Sequence, residues 1–185
     1  EKEEKIEILE SLYPKIHEVN IPDQISDNVT LSTMHGCPSN EIEKICRYLI
    51  EERNLHTSLK LNPTLIGKNA LRNILNDRLG YKIIVPDEAF EHDLKYYDAL
   101  AIINSLRRTA IKSGVEFGLK LTNTLEAGNT TNWLPEKEKM VYTSGRALHP
   151  ISINLAEKLQ SDFNGSLDIS FSAGVDAFNV TDTLA

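Results

Sequence analysis

The chain is 185 residues long, 41% apolar and 25% charged, with a formal net charge of −7. These totals suit one packed domain and exclude a disordered chain, and the mixing of acids with bases leaves no basic stripe for nucleic acid. No apolar run is long enough to cross a bilayer, and the opening "EKEEKIEILE" is charged and amphipathic, unlike a signal peptide.

In chain order, residues 1–27 predict a lead with a helix over 5–13, broken by Pro14, and a loop holding Pro22. "NVTLS" (28–32) is rich in β formers and predicts a strand. Ile42, Ile45, Cys46 and Leu49 fall at i, i+3, i+4 and i+7, which predicts a helix, with Asn40 and Glu43 as its capping box. "HTSLKLN" (56–62) predicts a second strand, closed by Pro63, and Leu71, Ile74 and Leu75 mark a helix ended by Gly80. "YKIIVP" (81–86) predicts a third strand. A long helix follows over about 93–112, with Leu100, Ile103, Leu106 and Ala110 on one face and Gly114 as its stop. "VEFGLKLTN" predicts a fourth strand, and 125–143 a long irregular loop. The helix after Pro150 is expected to bury Leu155, Ala156, Leu159 and Phe163, and "SLDISFSAG" predicts a fifth strand.

Strand and helix in alternation predict an α/β fold, a parallel sheet covered by helices. Right-handed crossovers leave an open doubly wound sheet or a (β/α)8 barrel. Polar or small residues end each strand, at 32–35, Asn62, Asp87, 122–124 and 172–174, as the active face of a barrel requires. No GxGxxG follows the first strand, which weighs against a dinucleotide fold. The expected architecture is therefore a partial TIM-type barrel of about five βα units over 28–185, preceded by the helical lead over 1–27. The chain lacks an initial Met and stops within "NVTDTLA", so it reads as a fragment.

Cys37 and Cys46 cannot form a CxxC pair, and Cys46, on the apolar side of its helix, reads as a buried thiol suited to a reducing cytoplasm. A disulfide between the two remains open. His17, His56, His92 and His149 lack HxxxH or HExxH spacing, so no metal site is indicated, and His56 reads as structural. "EHD" at 91–93 reads as a helix start whose acids suit the dipole, and "PEKEK" at 135–139 as a solvated loop.

"LSTMHGCP", "LKLNP", "LTNT", "SGRALHP" and "SAGVD" occur in that order. They resemble the landmarks of the flavin barrel of dihydroorotate and dihydropyrimidine dehydrogenases. In wording the chain is most similar to the selenate reductase subfamily of iron–sulfur and flavin oxidoreductase subunits. The resemblance runs from Asn28 to the C-terminus. It implies an FMN-type barrel that transfers hydride or electrons on a small-molecule substrate. Iron–sulfur clusters and FAD or NAD(P) would lie in other modules of the parent, which would be its redox partners.

The same resemblance implies roles for particular residues. Lys60 matches the lysine beside the flavin N1–O2 edge, where a cation stabilises the anionic reduced ring. Lys120 sits in a similar phrase and is the alternative; Lys60 is favoured because "TNT" has its own place one landmark later. Asn123 and Thr124 match residues that hydrogen-bond the substrate ring, and Asn62 is grouped with them. Ser144 and Gly145 match the S-G landmark. Gly174 matches the second glycine of G-G-I, which approaches the flavin phosphate, while Ala173 replaces the first.

The opening landmark departs from the pattern. Aligning "TLSTMHG" on N-L-S-C-P-H-G sets Thr30 on the substrate asparagine and Thr33 on the catalytic cysteine. A threonine hydroxyl is too weak an acid for that proton transfer without an activating base. Cys37, at a predicted helix N-terminus that would lower its pKa, and His35, which titrates near neutrality, are the candidate proton carriers. Alternatively, His35, Gly36 and Pro38 only build the turn. Trp133 is a candidate cap for a flavin or a partner surface. Two rival functions stay open: a cofactor-less barrel serving as a structural or docking domain, and an aldolase-like barrel using Lys60 or Lys120 as a Schiff base.

Overall fold

The computed structural model describes residues 2–20, 22–32, 35–130, 134–172 and 174–184. Thr33, Trp133 and Ala173 lie outside the described residues. The strands are β1 (Asn28–Ser32), β2 (His56–Leu61), β3 (Phe117–Leu121), β4 (Leu125–Gly128), β5 (Met140–Thr143) and β6 (Ile169–Phe171). The helices are α1 (Lys2–Glu10), α2 (Ser39–Arg47), α3 (Lys68–Arg72), α4 (Asp87–His92), α5 (Tyr96–Ser113), α6 (His149–Asp162) and α7 (Val180–Leu184).

Four strands form one parallel sheet in the order β1-β2-β3-β6. Each new strand adds beside the last, and the order never reverses. A doubly wound sheet would turn back at a switch point, whereas a barrel wall advances in one direction. Side chains alternate across the sheet with period two. Leu59, Leu61, Leu119 and Leu121 point to one face and are fully buried beneath α5, α6 and the turn that continues α2. Burying each is worth roughly 1.5–3 kcal/mol. The opposite face carries Thr30, Ser32, Ser58, Lys60, Gly118, Lys120 and Ser170.

The helices follow from the same patterning. Ile42 and Cys46 of α2 enter the core, and Ile50 continues that stripe through a π turn at Tyr48–Glu52. Ile102, Ile103, Leu106 and Ala110 of α5 are buried, and Gly114 ends the helix. Leu155 and Leu159 of α6 fill the space behind β3 and β6. Among the described residues, no helix is long and apolar enough to cross a membrane.

Several expectations are corrected. Residues 81–86 form no strand, although Val85 is buried. Their carbonyls are taken by other partners: Asn76 Nδ2 donates to Tyr81 O and Ile83 O, Arg72 Nη2 to Val85 O, and the Gly128 N–H to Ile84 O. The parallel sheet thus has four strands, one fewer than expected. The expected helix over about 93–112 is α5, which begins at Tyr96; a separate short helix, α4, precedes it and ends at His92, before Asp93 turns extended. The acid at 93 therefore follows a helix and does not start one. Residues 125–143 are no irregular loop: β4 and β5 pair antiparallel, Leu125 opposite Thr143. Asn40 makes no capping box, because α2 starts at Ser39 behind Pro38, and Glu43 instead binds Arg47 and Ser105.

Candidate active site

The carboxyl ends of β1, β2 and β3 meet through an amide–hydroxyl chain. Asn123, just beyond β3, donates its backbone N–H to Leu61 O at 2.8 Å and so extends the β2–β3 ladder. Its Oδ1 accepts from Ser32 Oγ at 2.7 Å, and its Nδ2 donates to Asn62 Oδ1 at 2.7 Å. Asn62 and Asn123 are both buried. Buried amides of this kind need every strong partner they have, so the chain locks three strand ends into one arrangement. Thr124, next in sequence, is exposed.

Register sets the lysines. Ser32 lies opposite Lys60, Lys60 opposite Lys120, and Lys120 opposite Ser170. Both lysines therefore stand on the same face, in one layer, just below the strand ends. Lys120 Nζ donates to Ser170 Oγ at 2.9 Å.

His35 follows β1 and meets Asp93, which arrives from the long excursion between β2 and β3. Nδ1 lies 3.0 and 3.1 Å from the two Asp93 oxygens. Thr64, in the 3-10 turn after β2, donates its hydroxyl to Asp93 Oδ2 at 2.5 Å. The hydrogen bond that His35 donates to Asp93 raises the pKa of His35 against the opposing effect of burial, and the charges of Asp93 and Glu126 help. Burial alone would lift the Asp93 carboxyl, but the bonds from His35 and Thr64 together outweigh it and bring the pKa below its ordinary range. Nε2 of His35 is buried with no hydrogen-bond partner. The Thr124 backbone adds a small attraction for the protonated ring without a hydrogen bond of ordinary geometry. Tyr142, on β5, sets its ring 5.9 Å from the imidazole.

A cleft of about 420 Å³ opens beside His35, walled by Leu31, Ser32, Cys37, Ile42 and Ile45. Cys37 is half-buried and, like Cys46, carries a free thiol. A smaller recess of about 120 Å³ lies on the other side, lined by His35, Ala89, His92, Asp93 and Glu126. Another recess, about 240 Å³, sits at the opposite ends of the strands near His56 and Glu116. There His56 Nδ1 accepts the Glu116 N–H at 3.0 Å, a bond that joins the β2 and β3 entries and gives the ring a structural task.

Gly145 and Gly174 come together although 29 positions separate them in sequence. Ser144 is exposed and precedes a 3-10 turn, Gly145–Leu148, that leads into α6. A Cβ at Gly174 would stand 2.8 Å from Gly145 O and 2.7 Å from His149 Cβ. The segment after β6 is tied there by Arg146 to Asp176 at 2.6 Å and His149 Nε2 to Thr183 Oγ1 at 2.9 Å.

The expected residues His35, Cys37, Lys60, Asn62, Asn123, Thr124, Gly145 and Gly174 thus all lie at the carboxyl end of the sheet. Asp93, Thr64 and Glu126 were not expected there. An aspartate 58 positions from its histidine leaves no local spacing signal. Among the described residues, no group of three or more His, Cys, Asp or Glu is arranged to hold a metal.

Comparison with known proteins agrees with this architecture. The sequence profile described as "Oxidoreductase YgfK, N-terminal TIM-barrel domain" matches residues 2–185. The chain is 46% identical over 181 residues to the protein named "Putative oxidoreductase YgfK" of Escherichia coli strain K12, covering 97% of this chain and 17% of that protein. Its counterpart in Escherichia coli O157:H7 gives the same identity and coverage. The chain therefore spans about one sixth of the length of these relatives. No solved structure matches at a significant level. With its unreversed parallel sheet and polar strand ends, the chain belongs to the family of oxidoreductase YgfK N-terminal TIM-barrel domains.

Proposed function

We propose that this oxidoreductase barrel domain is of the FMN type, and that its mouth is the site of hydride or electron transfer on a small-molecule substrate. The observation that carries this reading is the convergence of Ser32, His35, Lys60, Asn62 and Asn123 at one end of the sheet, with Gly145 and Gly174 in contact beside them. FMN, when bound, accepts or returns the hydride.

The residues fit such a group in two respects. Gly145, where a Cβ would meet nothing within 4 Å, presents backbone open to the close approach of a phosphate, and Gly174 packs directly against it. Lys60 supplies a cation in the layer below the mouth. Asn123 and Asn62 bring amide groups, each a donor and an acceptor, to the substrate side of the mouth, which suits a lactam or carboxamide edge. His35 gives or takes, at Nε2, the proton that must accompany hydride transfer. Leu31, Ile42 and Ile45 limit water at that cleft. Iron–sulfur and FAD- or NAD(P)-binding modules of the parent are the proposed redox partners, and the free thiols of Cys37 and Cys46 suit a cytoplasmic setting.

The test is the visible spectrum and released cofactor of the full-length parent, with Lys60→Met and Lys120→Met variants. Stoichiometric FMN, reduced more by Lys60→Met than by Lys120→Met, is expected. A flavin content near zero with no uptake of added FMN would instead favour a cofactor-less structural domain.

A further inference from the structure

An imidazole has two nitrogens, and a partner on one decides what the other can do. In His35 that partner is unusually well fixed. Both oxygens of Asp93 lie near Nδ1, at 3.0 and 3.1 Å, so Nδ1 carries a proton and donates it. The Asp93 side chain is only 2% exposed and cannot turn to water. Thr64 Oγ1 pins one oxygen at 2.5 Å. Nε2 is left as the ring's one nitrogen without a partner, although it is buried.

Leaving a buried polar atom unsatisfied carries the full desolvation penalty of that group, so such an atom in a native fold calls for a reason. The surroundings supply one. His35 is the one side chain, among the described residues, that borders both the apolar cleft and the small polar recess. Glu126 from β4, Tyr142 from β5, His92 from α4 and Cys37 before α2 are the other titratable groups around it. None of these four hydrogen-bonds the ring, whereas Asp93 does.

We propose that Asp93, pinned by Thr64, is the positioning residue for His35: it holds Nδ1–H on a buried carboxylate and leaves Nε2 as the atom that exchanges a proton with a ligand in the mouth. The identity of that ligand rests on the flavin-barrel reading; the histidine–aspartate geometry does not. Asp93 touches no reacting atom in this scheme and acts only through the ring. When Nε2 gives up its proton, the ring becomes neutral with its remaining proton on Nδ1, and the Asp93 carboxylate stays ionised.

Slow hydrogen–deuterium exchange at the imidazole C2 carbon, read by peptide mass spectrometry across pH, reports the titration of His35 in the full-length protein. The His35 midpoint is expected above that of N-acetylhistidine, and Asp93→Asn is expected to move it to lower pH. A role in packing alone would leave the midpoint unmoved by Asp93→Asn, and that result would overturn the proposal. So would a midpoint at or below that of N-acetylhistidine in the unaltered protein, which decides the matter even where the variant fails to fold. The measurement needs neither flavin nor substrate, so its failure is distinct from a failure to find FMN in the parent.

Discussion

Replacing Gly174 by alanine sets a methyl group against three atoms that have little freedom to retreat. The new Cβ would stand 2.7 Å from His149 Cβ, 2.8 Å from Gly145 O and 3.0 Å from Arg146 Cα. None is the far end of a flexible side chain, so the turn before α6 must shift as a body. Gly174 also has φ +73°, a left-handed conformation that an L side chain resists by roughly 1–2 kcal/mol. Overpacking adds about 1–3 kcal/mol, for a total of roughly 2–5 kcal/mol. Gly145 is the natural control. Its φ is also +73°, but a Cβ there meets nothing within 4 Å, so Gly145→Ala is expected to lose only the roughly 1–2 kcal/mol backbone contribution. Urea titration of the full-length protein with peptide-resolved proteolysis, following peptides from α6, compares the two. Losses equal to within about 0.5 kcal/mol, the usual spread of neutral substitutions, would mean that the segment after β6 does not rest on this turn. Flavin content measured on the same samples is expected to fall further in Gly174→Ala than in Gly145→Ala.

Other substitutions probe the remaining contacts. Asn123→Ala removes the partner of both Ser32 and buried Asn62 and is expected to destabilise the domain by about 1–3 kcal/mol, read in the same titration. Burial pushes the Cys46 thiol up to about 12, so iodoacetamide at mildly alkaline pH should alkylate Cys37 and spare Cys46 until the protein unfolds, as peptide mass spectrometry can check. The His35–Asp93 pair makes stability depend on pH in two directions. With His35 raised above its ordinary 6.5, the stabilisation is complete below 6.5 and fades as pH rises through the folded value; with Asp93 lowered below its ordinary 3.8, it is complete above 3.8 and fades as pH falls through the folded value. Amide-exchange protection around Gly36 should therefore be greatest between those limits, and Asp93→Asn should flatten the decline at high pH.

Parts of this architecture can be read in the sequence because they depend on local order. The strand at 28–32 has its expected bounds, since "NVTLS" is a β-rich run that closes at a polar turn. The α6 stripe of Leu155 and Leu159 is plain helical periodicity. Residues 81–86 mislead for a physical reason: their β-rich composition is real, but Asn76, Arg72 and Gly128 satisfy the carbonyls that a ladder would use. The β4–β5 hairpin is hidden by the opposite fault, because "LEAG" is built from weak strand formers and depends on pairing with "MVYT". Gly145 and Gly174 are legible only through resemblance to a family. Asp93 is not legible at all, because its partners Thr64 and His35 come from other loops.

The polar face of the sheet carries one more consequence. Parallel sheets covered by helices on both faces have strands that read as continuous apolar runs. Here β2 and β3 alternate, with leucines beneath the helices and Ser58, Lys60, Gly118 and Lys120 on the other side. That second face is not made to receive helices; it has the character of a barrel wall turned toward its own interior, where side chains from neighbouring strands stack in layers. Lys60 and Lys120 then share a layer, and height does not distinguish them. Their neighbours do. Lys120 is turned to Ser170 on the β6 side. Lys60 lies opposite Ser32, two residues before Asn62 on the same face, and its carbonyl is 3.5 Å from Asn123 Nδ2. A ligand that engages the Ser32–Asn123–Asn62 chain from above meets the Lys60 side of the layer first, which is why Lys60→Met is expected to loosen FMN more than Lys120→Met.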